Sequence, residues 1–232
     1  MDDAIFTQNK KEINMKKPNL TDFAAIIIWL IPILYLIYIF PSLPKLVPLK
    51  FDAEGNPIRF GTQNEFLWTQ VLIQGIAVFA YLLLKFLPSI DPKKNAKYSS
   101  ASFKKIALAV IFFVSAINIV VIYAVTNHTV KINFILFPLI GILFAFLGNL
   151  MHSIKPNYFV GIRTPWTLED PDTWRATHQL GGKLWFFGGI AITIATLFLP
   201  AKIGFFFFIT IIIIISLVPV IYSFIYFKNH KK

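Results

Sequence analysis

Six stretches of this chain carry no Asp, Glu, Lys or Arg over lengths that suit a helix crossing a lipid bilayer. They are Phe23–Pro44, Phe66–Leu84, Ile106–Val130, Ile132–Ile154, Leu184–Ala201 and Ile203–Phe227. A hydrocarbon core ~30 Å thick takes ~20 helical residues at ~1.5 Å each. Lipid offers no water to an unpaired backbone group, so a helix, which closes its own hydrogen bonds, is the structure open to such runs. The composition agrees, with 56% of the 232 residues apolar and 14% charged, where a soluble domain carries about 25% charged residues. The pattern predicts an all-α polytopic membrane protein of six transmembrane helices. The third and fourth runs are parted by Lys131, with Thr126, Asn127, His128 and Thr129 as their turn; Lys202 parts the fifth and sixth near Pro200 and Gly204. Both pairs read as helical hairpins. The first run is too long for a secretory signal and lacks a small-x-small cleavage site, so it reads as a retained span.

The formal net charge of +11 raises the question of nucleic acid, and the position of the charges answers it. With the N-terminus in the cytoplasm, Lys10, Lys11, Lys16, Lys17, Lys85, Lys93, Lys94, Lys97, Lys104, Lys105, Lys155, Arg163, Arg175, Lys183, Lys228, Lys231 and Lys232 fall inside, and Lys45, Lys50, Arg59, Lys131 and Lys202 outside. A bias of 17 to 5 is the positive-inside signature and sets both termini in the cytoplasm. The charge is topological, and no direct nucleic-acid partner is expected. Residues 1–22 read as a cytoplasmic tail, 23–104 as two spans joined by an outer segment at 41–65, and 105–232 as a four-helix region with a cytoplasmic loop at 154–183.

Two connections hold the specific information, as long loops on a rigid scaffold do. In the outer one Pro48 sets an extended start, Leu49-Lys50-Phe51 alternates as a short strand does, and Glu54-Gly55-Asn56-Pro57 is a turn with Gly55 free for positive φ. The inner one carries Asp170 as an N-cap and Pro171 at the first helical position, which predicts a short helix closed by Gly181 and Gly182. Trp174, Thr177 and His178 would share one face of it. Trp166, Trp174 and Trp185 are expected at the membrane–water boundary. Arg163 is expected to reach a phosphate or pair with Glu169, Asp170 or Asp172.

The chain has no cysteine, which excludes disulfides, thiolate metal sites and a cysteine nucleophile. His152, His178, Asp170 and Asp172 lack recognisable metal-ligand spacing, and no Gly-x-Ser-x-Gly elbow accompanies the histidines. No metal or cofactor is expected, and the reading is non-enzymatic. No Asp, Glu, Lys, Arg or His lies at the middle of a run; the interior polar groups are Gln70, Gln74, Ser115, Asn118, Asn149, Thr193 and Thr196. They suit helix association, and as a polar route they carry the alternative of a small-molecule or ion transporter.

The inner string Ile154-Lys155-Pro156-Asn157-Tyr158-Phe159-Val160-Gly161-Ile162-Arg163-Thr164-Pro165-Trp166-Thr167-Leu168, with Gly148-Asn149 before it and Trp174, Thr177-His178 and Gly181 after it, closely resembles the signature of SdpI-family membrane proteins. The outer Leu43-Pro44, Pro48, Phe51-Asp52-Ala53, Gly55-Asn56-Pro57 and Gly61 resemble a domain of unknown function that precedes the signature in longer members. The resemblance covers about residues 24–225. Lys50 stands where that pattern has His, and Thr62-Gln63 where it has Ser-Lys, so roles resting on that His do not carry over. What the resemblance implies is immunity to a secreted peptide toxin met outside. It also implies a receptor that draws a small transcriptional repressor to the inner face. The surfaces it implies are the outer segment and the loop around Asn157, Arg163, Trp166, Trp174 and His178.

The charge bias makes a direct prediction, and the lack of native cysteine makes it testable. A lone cysteine placed at Asn56 should react with a membrane-impermeant maleimide on intact cells. One placed at Lys10 or Lys232 should react only after the cells are opened. The reverse pattern would invert the topology.

Overall fold

The computed structural model describes residues 20–90, 100–127 and 131–230. The lysines at 10, 11, 16, 17, 93, 94, 97, 231 and 232, and the turn residues His128 and Thr129, lie outside them. Each apolar run has become a helix: α1 Leu20–Ile39, α2 Gln63–Ile90, α3 Ser100–Thr126, α4 Asn133–Met151, α6 Pro171–Phe198 and α7 Ala201–His230, with a short α5 at Pro165–Glu169. All six long helices have the length and hydropathy of membrane spans. The outer segment adds strands β1 Leu46–Phe51 and β2 Pro57–Thr62, paired antiparallel. The strand expected at Leu49–Phe51 is therefore the end of a longer one.

The helices run past their apolar cores because polar caps hold their ends. Thr62 and Glu65 form a reciprocal cap on α2: the Thr62 amide donates to Glu65 Oε2 at 3.0 Å, and the Glu65 amide to Thr62 Oγ1 at 3.2 Å. Helix α1 starts at Leu20 and takes in Asp22, which the charge reading left in a tail. That carboxylate is buried, 2.8 Å from Lys85 Nζ, and accepts a 2.7 Å bond from the Tyr81 hydroxyl. A partly buried charge needs such partners.

Gly181 and Gly182 do not end a helix. Helix α6 runs through both, because they serve a contact with α4 instead of a left-handed cap. A Cβ on Gly182 would lie 2.8 Å from the Gly148 carbonyl oxygen, and one on Gly148 would lie 2.7 Å from the Gly182 carbonyl oxygen. One heptad further on, a Cβ on Gly141 would lie 2.7 Å from the Gly189 carbonyl oxygen. Small residues let two backbones touch where lipid supplies no hydrophobic drive, so α4 and α6 meet backbone to backbone.

Helices α1, α2 and α3 form one group, and α4, α6 and α7 with α5 another. In the first, Leu36, Leu43, Val47, Phe66, Ile122 and Val125 pack at the hairpin end, and Ala25, Ala77, Tyr81, Ala107 and Ile111 toward the other end. This antiparallel register puts Gln70 and Gln74 of α2 level with Asn118 and Ser115 of α3, between the two apolar clusters. All four are buried. Gln70 Oε1, both amide atoms of Gln74 and of Asn118, and Ser115 Oγ have no hydrogen-bond partner among the described residues.

The glycine contact predicts a contrast. Gly148→Leu should lower stability by about 2 kcal/mol through overpacking. A Cβ at Gly75 meets nothing within 4 Å, so Gly75→Ala should be neutral or stabilising by up to about 1 kcal/mol. Unfolding midpoints in detergent micelles measure both.

Candidate functional site

The segment from His152 to Asp170 has little helix to close its backbone groups, and side chains do so instead. Asn157 is buried and makes four such bonds. Its Oδ1 accepts the amides of Phe159 and Val160 at 2.8 Å each, and its Nδ2 donates to the carbonyls of Lys155 at 2.8 Å and Val160 at 3.1 Å. Trp174, reaching back from α6, donates Nε1 to the Ile154 carbonyl at 2.8 Å.

His178 lies one turn beyond Trp174, its ring stacked on the indole with centroids 4.0 Å apart. Its Nδ1 is 2.8 Å from the Trp174 carbonyl, which can only accept, so Nδ1 carries the hydrogen. Nε2 then accepts the Ile162 amide at 3.0 Å. Both nitrogens are engaged, and the lone pair a base or metal ligand would use is already taken. Gly161 makes this approach possible: its φ of +115° suits glycine, and a Cβ there would run into His178 Nε2 and lie 3.2 Å from the Trp174 ring. Gly181 clears the other side, since a Cβ would lie 2.6 Å from Ile162 Cδ1.

Thr164, Pro165 and Thr167 start α5. The Thr164 amide donates to Thr167 Oγ1 at 2.9 Å, the Thr167 amide donates to Thr164 Oγ1 at 3.3 Å, and Pro165 takes the first turn. Thr167 Oγ1 also donates to the Ile162 carbonyl at 2.9 Å. Trp166 then docks α5 on α7, with Nε1 bonded to Ser223 Oγ and its ring 5.2 Å from that of Phe224. Asp170 caps α6 as expected, accepting the Thr173 amide at 2.8 Å.

The structure thus divides the signature residues. Asn157, Thr164, Thr167, Trp174, Thr177, His178 and Gly181 are buried. Tyr158, Arg163 and Pro165 lie on the surface, where Arg163 Nη1 donates to the Tyr158 carbonyl. Asn149 is exposed on α4. Two of the three tryptophans expected at a lipid boundary point inward: Trp174 is 2% exposed, and Trp185 donates to the Ile215 carbonyl at 3.0 Å inside the helix group. Both indole N–H groups find carbonyls there, which removes the reason to seek water.

At the opposite end, Asp52 folds the hairpin. Its Oδ1 accepts the amides of Asn56 at 2.7 Å and Glu54 at 3.0 Å, and its Oδ2 accepts Asn56 Nδ2 at 3.0 Å. Gly55 takes the left-handed turn position at φ +82°. Asn133 Nδ2 ties the turn to α4 through the Ala53 carbonyl at 2.5 Å. Pro48 is buried, Phe51 half-buried and Pro57 exposed. Ser223 and Asn133 were not legible as site residues, each being a polar residue inside an apolar run; the Thr62-x-x-Glu65 cap was legible as a pattern.

Six spanning helices, a loop folded against their ends and a small hairpin at the far end define a multi-pass membrane protein that is built around one folded loop. The SdpI/YfhL protein family matches over residues 153–223, from the loop to the serine that receives Trp166. Immunity protein SdpI of Bacillus subtilis (strain 168) is 26% identical over 209 residues, 90% of this chain and 95% of that protein. The chain is thus similar to the SdpI family, in the loop and the last two helices by the family match and along most of its length by the curated relative. No solved structure matches it.

The Asp52 carboxyl is held below its ordinary value, first by the Asn56 amide and then by the Asn56 side chain. A depressed carboxylate stabilises above its unfolded value of about 4 and loses that contribution as pH falls through the lower folded value. The stability gap between the native chain and Asp52→Asn should therefore be full at pH 6 and close on acidification below about pH 4. Thermal unfolding of both chains across that range measures it; a gap independent of pH would contradict the assignment.

Proposed function

We propose that this chain is a non-enzymatic immunity protein of a bacterial inner membrane. It protects its cell from a secreted peptide toxin and presents the loop at 154–170 to a cytoplasmic transcriptional repressor. The observation that carries this reading is how the family signature is used. Its buried polar groups Asn157, Thr164, Thr167, Trp174 and His178 bond mainly backbone of the loop itself. That builds a rigid platform and leaves Tyr158, Arg163, Pro165 and Glu169 on its surface. Such a surface suits recognition more than bond-making. The similarity to Immunity protein SdpI also runs across the hairpin, whose Ile58 and Phe60 are exposed apolar side chains suited to a peptide. The transport alternative draws on the polar seam between α2 and α3, and apolar clusters close that seam at both levels.

The test is protection in a bacterial strain lacking its own SdpI-type protein, challenged with the peptide toxin that the strain's own protein counters. The native chain should restore growth. Ile58→Asp with Phe60→Asp should abolish protection at an unchanged membrane level. Arg163→Ala should leave protection intact and lower the response of a reporter under the cognate repressor. A native chain present in the membrane that changes neither growth nor reporter sinks the proposal.

A further inference from the structure

The backbone contact between α4 and α6 leaves an open groove on one flank. Its volume is about 500 Å³, and Gly148 and Gly182, where the two backbones meet, are among the residues that line it. Asn149, His152, Gln179 and Lys183 line one end, and Phe186 and Phe187 the other. The wall at Phe187 is open, with that ring 66% exposed.

Depth decides what such a groove can hold. On α6 the charge-free run begins at Leu184, directly after Lys183, and on α4 it stops before Lys155. The polar lining therefore sits at headgroup level, and the phenylalanines lie one turn deeper. Gln179 to Lys183 and Lys183 to Phe187 each rise ~6 Å, so the apolar half reaches into a leaflet ~15 Å deep, half of the hydrocarbon core. The lining holds one full positive charge and several hydrogen-bond donors, and no carboxylate. A lysine at headgroup level with a free donor array suits a phosphate carrying further negative charge. A soluble anion would match the polar end alone, whereas a bilayer lipid matches both ends at the depth where each already lies.

We propose that this groove is a binding site for one anionic phospholipid, its headgroup on Lys183, His152, Asn149 and Gln179 and its acyl chain against Phe186 and Phe187. The site adjoins the start of the loop at His152, away from Tyr158, Arg163 and Pro165, and it does not depend on the immunity reading.

Native mass spectrometry of the full chain, released from a non-ionic detergent with phosphatidylglycerol or phosphatidylcholine added, tests it. The native chain should retain phosphatidylglycerol about fivefold better, the size expected for one basic residue near a headgroup. His152→Gln with Lys183→Gln, both surface changes, should erase that preference. Asn149→Trp should fill the groove and reduce retention of both lipids. Lys202→Gln, in the first turn of α7 and beyond the far end of α6, should retain the preference. A preference that survives in the His152/Lys183 variant, or is lost equally in Lys202→Gln, reduces the groove to ordinary boundary lipid and overturns the site. Displacement of the lipid by inorganic phosphate overturns it too, because the acyl chain would then contribute nothing.

Discussion

Irregular backbone lying against the ends of membrane helices must find partners for its amides and carbonyls, and in this protein many of them come from side chains of α6 and from Asn157, with Thr167 and Arg163 adding others. Asn157 takes four groups, Trp174 one and His178 the Ile162 amide. An unmet buried group costs about 1–3 kcal/mol, so the loop without these side chains would be pushed into water. The first turns of α6 are thus both a membrane helix and the inner scaffold of the loop. That double duty explains why Pro171–Phe198 is one continuous helix.

The same loop joins the two helix groups. Ile154, Val160, Leu168 and Trp174 pack with Ile106 and Val110 of α3 and with Leu147 and Leu150 of α4, while Phe159 and Val160 reach Leu87 and Phe103. Ser153 Oγ lies 3.0 Å from Ser102 Oγ of α3. A change on the loop surface is therefore mechanically close to α2 and α3, whose other ends carry the hairpin. The hairpin in turn rests on Val47, buried among residues of α1, α2 and α3. A membrane protein built this way has its two exposed faces linked through packed helices.

The spans were legible because lipid imposes a crude requirement: about twenty residues without charge. The caps at Asp170 and the turn at Gly55 were legible because each has a short-range chemical signature. Gly181 and Gly182 misled, since two adjacent glycines after a short polar helix look like a stop. The reason they continue the helix lies on Gly148, distant in sequence. Asp22 misled likewise, because its partners Lys85 and Tyr81 sit on another helix. His178 was recognised as a feature of one helix face, but the bond to the Ile162 amide depends on a positive φ at Gly161. Local signals survive reading in one dimension; contacts made through a missing side chain do not.

The seam of Gln70, Gln74, Ser115 and Asn118 bears on how the chain comes to be assembled. As α2 and α3 leave the translocation machinery, each carries its amides toward lipid, where neither helix alone can shield them. Joining them in antiparallel register removes that exposure, and sliding by one turn would bring amides against the apolar clusters on either side. The polar residues thus act as an alignment key, lying at one height between the apolar clusters of α2 and α3.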